Sequence, residues 1–128
     1  MRKVSGVDEA AARESPVPSG TTLLWLMTHM AHAERLWIVH RFAGGTKPST
    51  AATVDDTVES AIAQYIDTWA VTDPVIAAAR DLDQLSCIAD DNGPVTLRWI
   101  LAHLLEETAR HAGHADILRE LVDGVTGR

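Results

Sequence analysis

The chain has one cysteine, Cys87, in 128 residues, so it can form no internal disulfide and no cysteine-based zinc cluster. Set between Leu85 and Ile88, Cys87 reads as a small packing residue rather than a nucleophile. No apolar run reaches the length needed to span a bilayer. The opening Met1-Arg2-Lys3-Val4-Ser5-Gly6 lacks the apolar stretch of a signal peptide, which reads as a cytoplasmic protein. Positive charge is also scarce. The net charge of −7, with no Lys/Arg cluster, disfavours nonspecific nucleic-acid binding. No glycine-rich phosphate loop, Ser/His/Asp order, nucleotide fingerprint or internal repeat occurs.

Histidine, by contrast, is well represented. Six histidines fall in two clusters, His29, His32 and His40, then His103, His111 and His114. The length suits one domain with a modest core. A polar, Ala-rich patch, Glu9–Glu14, reads as a short helix, and Pro16-Val17-Pro18-Ser19-Gly20 breaks the chain. Ser19 or Thr21 is positioned to cap a helix over Thr22–Phe42, striped by Leu23, Leu26, Met27, Met30, Ala33 and Trp37. After the Ala43–Thr50 loop, Thr53 with Asp56 resembles a capping box. The next segment places Val58, Ile62, Tyr65, Ile66, Trp69, Ile76 and Ala79 at helical spacing, and Pro74 predicts a kink or break near Asp73. A loop over Ser86–Val95 precedes Thr96, which caps a helix running to Val122. Nothing reads as a strand, so the expectation is all-α, a bundle. Three long amphipathic segments are visible where a closed bundle usually has four, so either the chain is a shortened version of a longer parent or the exposed apolar face is covered by oligomerisation.

The chemistry concentrates on the last helix. Glu107 and His111, four residues apart, fall within an apolar face formed by Leu97, Ile100, Leu101, Leu104, Ala115, Leu118 and Val122. A carboxylate pointing into a bundle is unfavourable unless neutralised, and a divalent metal would neutralise it. His29, on the shoulder of the other strongly apolar helix, is a third candidate ligand. The alternatives are that His111 is a core histidine satisfied by Glu107 alone, and that His29 bonds a backbone carbonyl. Two histidines and one carboxylate leave a coordination position open, as catalytic zinc does, and also suit iron(II). An open position can bind water and lower its pKa, or hold a thiol as thiolate.

His103 and His114 lie on the same side of the helix as the pair. They read either as general bases and hydrogen-bonding groups or as rim residues facing solvent. Glu106 falls outside the apolar arc, and His32 and His40 read as surface or boundary residues. Glu34 and Arg119 intrude on their apolar stripes, and a buried Glu34–Arg119 pair would satisfy both.

Two stretches carry a resemblance. Thr96–Glu120, with His103-Leu104-Leu105-Glu106-Glu107-Thr108-Ala109-Arg110-His111-Ala112-Gly113-His114 at its centre, resembles the closing helix of DinB-like proteins. Pro18–Trp37, including Leu24-Trp25-Leu26-Met27-Thr28-His29-Met30-Ala31-His32-Ala33-Glu34-Arg35, is similar to the His-bearing helix of an actinobacterial branch of that family. The resemblance runs from about Ser5 onward and implies a four-helix bundle holding a metal through three side chains. Carried over, these are His29, Glu107 and His111, with Glu107 as in mycothiol-dependent maleylpyruvate isomerase and its relatives. Family members have a full helix before the Gly6-Val7-Asp8 turn, of which only Met1–Val4 is present here. The resemblance therefore implies a DinB-like bundle with its first helix largely truncated, as if the chain began at an internal methionine.

The resulting expectation is a metal-dependent enzyme of the mycothiol or bacillithiol S-transferase and isomerase class. Zinc is the expected metal, with iron, nickel or manganese as alternatives, and mycothiol is the expected cosubstrate. His29, Glu107 and His111 would bind the metal, and His103 or His114 would serve as base or hydrogen-bond partner. The expected partners are a low-molecular-weight thiol, a small electrophile and a second copy of the chain, with no nucleic acid and no membrane. A hydrolase using the same metal, or a non-catalytic metal-stabilised dimer in a stress response, is the alternative.

Overall fold

The computed structural model describes residues 4–49, 56–89 and 92–126. Its regular elements among the described residues are all helices, with one isolated bridge, Leu85 with Thr96. Helix α1 is Glu9–Arg13 and α2 is Leu23–Glu34, which continues without a break as a π-helical segment, Arg35–Phe42. Helices α3, Val58–Ala77, and α4, Leu97–Asp123, complete the chain. No helix among the described residues is long and apolar enough to cross a membrane.

Local chemistry sets the ends of these elements. Asp8 caps α1 by accepting from the Ala10 and Ala11 amides. Helix α2 is capped by Thr22, whose hydroxyl accepts from Trp25 N, rather than by the expected Ser19 or Thr21. Those two hydroxyls bond each other at 3.0 Å. Thr57 and Ser60 form the capping box of α3, one turn later than the Thr53–Asp56 pairing, and Thr53 itself lies outside the described residues. Thr96 caps α4 as expected, and Gly124 ends it with φ 74°, a left-handed conformation that glycine adopts without Cβ strain.

Pro74 does not break α3, which continues to Ala77. Proline frees the carbonyl of Ala70, but both residues are exposed, so water satisfies the lost partner and only the last turn is affected. The buried line of α3 is also unlike the expected stripe. Ala61, Thr68 and Thr72 are buried, whereas Ile66 and Trp69 face outward. The threonines are tolerated there because each hydroxyl donates back to a carbonyl, Thr68 to Gln64 O and Thr72 to Thr68 O. Arg35 Nε also donates to Thr68 Oγ1 at 2.9 Å.

Helix α2 is central and packs against α1, α3 and α4. This explains why it buries Leu24, Thr28 and Ala31 besides its predicted stripe. The core divides into two clusters. One joins Val4 to Leu23, Leu24, Leu26, Met27, Ala61, Ala115 and Leu118. The other joins Ala33, Ile38 and Phe42 to Leu97, Ile100 and Leu104. The front of the chain is tied to both later helices. Glu9 Oε2 accepts from Val58 N at the start of α3, Arg13 donates to Asp56 O, and Arg119 Nη1 donates to Ser5 O.

Glu34 and Arg119 do not pair. Arg119 donates to Asp123 at 2.9 Å on its own helix, and Glu34 accepts from Tyr65 Oη at 2.7 Å. Burial pushes the Glu34 carboxyl above its ordinary value, with the Tyr65 hydrogen bond opposing that shift. A raised folded value means that the native state holds the proton more tightly than the unfolded chain. Stability is therefore lost as pH rises through the window above the ordinary carboxylate value of 4.5. Glu34→Gln should flatten that part of the melting-temperature profile. An unchanged slope in the variant would mean that another group is responsible.

Candidate metal centre

The polar trio sits where the two apolar clusters part. On α2 the lower cluster ends at Met27 and the upper begins at Ala33; on α4 the upper ends at Leu104 and the lower begins at Ala115. His29, Glu107 and His111 fall in those gaps. Each offers one donor atom, and the three atoms lie within 4.8 Å of one another. His111 Nε2 is 3.3 Å from Glu107 Oε2, as the i,i+4 spacing requires. His29 meets the His111 ring edge-on at 4.9 Å and stacks on Trp25 at 4.7 Å, so the indole holds the imidazole against α4.

Electrostatics reports the same proximity. The His29 imidazole is held below its ordinary value, chiefly by desolvation and then by the neighbouring His111, while Glu107 acts to raise it. The donor set fits a divalent cation. With both imidazoles neutral, a ligating nitrogen on each and the Glu107 carboxylate would present lone pairs to one another, and a cation between them relieves that repulsion. In its absence, a proton on His111 Nε2 donated to Glu107 does so for one pair only.

The other histidines separate by position. His114 is exposed, with its Nδ1 3.4 Å from His111 Nδ1, so it stands directly behind a trio residue. His103 does not touch the trio. It stacks on Trp99 at 5.0 Å and meets Trp37 edge-on at 4.9 Å. His32 and His40 bond the carbonyls of Ser49 and Gly45, as boundary residues do. Glu106 is exposed and paired with Arg110 at 2.7 Å. Cys87 is exposed rather than packed, because its loop runs along the surface beyond Phe42.

The sequence reading did not find the π-helical segment or the Arg41 side chain, which lies over Trp37 at 4.6 Å. Its trace in the sequence is a run of strict four-residue steps, Trp25, His29, Ala33, Trp37 and Arg41, where an α-helix would drift. One hollow adjoins the trio and a second adjoins His114. His111 borders a groove of about 100 Å³ floored by Leu26, Met27 and Met30, and His114 borders one of about 260 Å³ with Val17, Thr21 and Ile117. A polar cavity of about 450 Å³ lies between α2 and α3 instead, with Thr28, His32 and Asp67 in its wall.

The chain is an all-helical bundle whose two principal helices bring two imidazoles and a carboxylate together, and its family match places it among the DinB-like proteins. More narrowly, the family model MST: Mycothiol-S-transferase matches residues 1–124, and the chain belongs to that family. No curated protein and no solved structure shows a significant match.

In protein stripped with a chelator, His29 should titrate below the ordinary imidazole value of 6.5 in an NMR pH series. Glu107→Gln removes the one neighbour that raises it and should lower it further, whereas His111→Ala should bring it back up. Because the folded value is depressed, the associated stability is lost as pH falls below 6.5. A His29 titration indifferent to both substitutions would contradict the packing of the trio.

Proposed function

We propose that the chain is a metal-dependent S-transferase of the mycothiol type, cytoplasmic, with zinc held by His29, Glu107 and His111. The convergence of three donor atoms within 4.8 Å, in a chain of the mycothiol S-transferase family, is the observation that carries this reading. A divalent ion there would supply a Lewis acid that keeps a bound thiol as thiolate at neutral pH. The chain's own residues then have separable tasks. Glu107 must be ionised to ligate, and Arg110 Nε lies 4.0 Å from its Oε1. His114 positions His111: a proton on His111 Nδ1, donated to His114 Nδ1, leaves the Nε2 lone pair directed at the site. His103 stands one turn along α4, on the side from which an electrophile would approach, as the candidate base.

The purified protein should retain about one divalent ion per chain after dialysis. His29→Ala, Glu107→Ala and His111→Ala should each lose it, while His40→Ala should not. Glu107→His should still bind metal and Glu107→Gln far more weakly. With metal bound, the protein should accelerate consumption of mycothiol by chlorodinitrobenzene, and chelation should abolish the acceleration. Metal-dependent turnover of an ester without thiol would assign a hydrolase instead. A protein holding its ion yet inert in both assays would be a non-catalytic metal module.

The same reading proposes a homodimer. Ile66 and Trp69 of α3 and Leu105 of α4 are exposed, by 49%, 39% and 71%. They lie within a turn of Tyr65 and Thr108 in the walls of the groove floored by Met27 and Met30. Two copies would each lay the Leu105 ridge against the other's α3 flank and cover apolar area that a monomer leaves in water. Sedimentation should show a dimer that Leu105→Glu dissociates. A wild-type monomer at high concentration would contradict the pairing.

A further inference from the structure

The polar cavity between α2 and α3 plays no part in the function proposed above. It holds about 450 Å³, inside the range of roughly 300–1,000 Å³ that small-molecule sites occupy. Thr28 and Ala31, at its base, are 4% and 1% exposed. The hydroxyls of Thr28 and Ser60 are committed within their own helices, to the Leu24 and Trp25 carbonyls and to the Thr57 cap. The groups left for a ligand stand in the walls. Arg35 and His32 come from the α2 side, and Gln64 and Asp67 from α3. His32 Nδ1, 3.0 Å from Ser49 O, ties the adjoining loop to α2.

Arg35 is held in place. Its Nε donates to Thr68 Oγ1 at 2.9 Å, which brings the guanidinium against α3. Thr68 follows Asp67 in the chain, and both charged side chains border the cavity, yet they form no ion pair. Among the described residues, the Nη atoms of Arg35, the Asp67 carboxylate and the Gln64 carboxamide have no hydrogen-bond or charge partner. A second hollow, of about 350 Å³, shares Arg35, Pro48 and Ser49 with the first and adds Lys47. Positive charge therefore stands on the α2 and loop side of one recess, and negative charge on the α3 side.

Opposite charges that do not meet select a ligand by its own charges. A simple anion at Arg35 would face Asp67, and a simple cation at Asp67 would face Arg35. A molecule carrying a carboxylate and an ammonium a few bonds apart satisfies both, with a charge-assisted hydrogen bond at each end. The Gln64 carboxamide, donor and acceptor at once, suits an uncharged polar side chain.

We propose that this cavity binds a free α-amino acid with an uncharged polar side chain. Its carboxylate accepts from the Arg35 Nη atoms, its ammonium donates to Asp67, and its side chain reaches Gln64. Thr28, at the base, immediately precedes His29, so the cavity and the metal centre lie on different faces of one helix. The binding requires no metal and does not rest on the S-transferase reading.

L-Serine and L-glutamine are the probes, read by calorimetry and by the side-chain N–H signals of the full chain. At least one should bind saturably, shifting the Arg35 Nε–H and Gln64 carboxamide signals and leaving the Trp25 and Trp99 indoles in place. Its N-acetyl derivative lacks the cation and its methyl ester lacks the anion. Each should bind about tenfold or more weakly, the loss expected of one charge-assisted bond. Asp67→Asn should weaken the amino acid by a similar factor and narrow its advantage over the N-acetyl derivative. Arg35→Gln should narrow its advantage over the ester, and Arg35→Lys should recover part of the loss. Chelator-treated protein and His111→Ala should bind the amino acid as the untreated wild type does, so failure of the metal assignment would leave the site standing. Binding that is absent for both probes, equalled by either derivative, or lost on metal removal would overturn it. Should Arg35→Gln not fold, Asp67→Asn decides, because that carboxylate bonds nothing in the chain. An affinity unchanged in Asp67→Asn refutes the site.

Discussion

A half-buried carboxylate held beside two imidazoles is tolerated only if its charge is met, and the α2–α4 contact is arranged around that requirement. Glu107 has its own helix to supply His111, at 3.3 Å, and Arg110, at 4.0 Å. It needs the other helix to supply His29. That need fixes the height at which α2 and α4 meet and leaves the apolar core in two clusters rather than one. It also makes α2 the helix that every other element leans on. A side chain that must reach α4 while its neighbours face α3 belongs to a helix buried on several sides, and Leu24, Thr28 and Ala31 record this.

Much of this was legible in the residues. The start of α4 follows from Thr96 and its expected end at Val122 falls one residue short of Asp123, while the trio follows from i,i+4 spacing on one helix and an apolar shoulder on another. Composition and pattern read the chain as all-α, which the fold shows. The failures have physical causes. Threonine was passed over as a core residue of α3 because its hydroxyl is polar, yet Thr68 and Thr72 satisfy their hydroxyls on their own helix and pack like valine. Pro74 was given the weight it has in a buried helix interior, but it sits on an exposed face in the last turn. Glu34 and Arg119 were paired by charge. The tyrosine that meets Glu34 lies on α3, which spacing along α2 cannot reveal. The π-helical segment left only a period slightly too long, easily taken for ordinary amphipathic drift.

The trio and the aromatic cluster lie along one strip of the α2–α4 seam. His29 is braced by Trp25 and His103 by Trp99, each through a nearly parallel stack, at 13° and 8°. An indole one turn away on the same helix is an economical way to hold an imidazole ring, because both side chains leave the backbone in the same direction. The strip therefore combines rigid rings with a few charges at its ends.

A core split at its waist has a consequence for cooperativity. Between the two apolar clusters, the α2–α4 seam carries His29 on one side and Glu107 with His111 on the other. Anything that bridges those side chains in the folded chain and not in the unfolded one acts as a rivet between two halves that could otherwise open separately. At a free concentration a hundredfold above its dissociation constant, such a ligand adds about 2.7 kcal/mol to stability. That is a sizeable share of what a small domain possesses. Occupancy of the centre would thus be felt at Val4 and Phe42, at opposite ends of the bundle, as slower amide exchange in both clusters together.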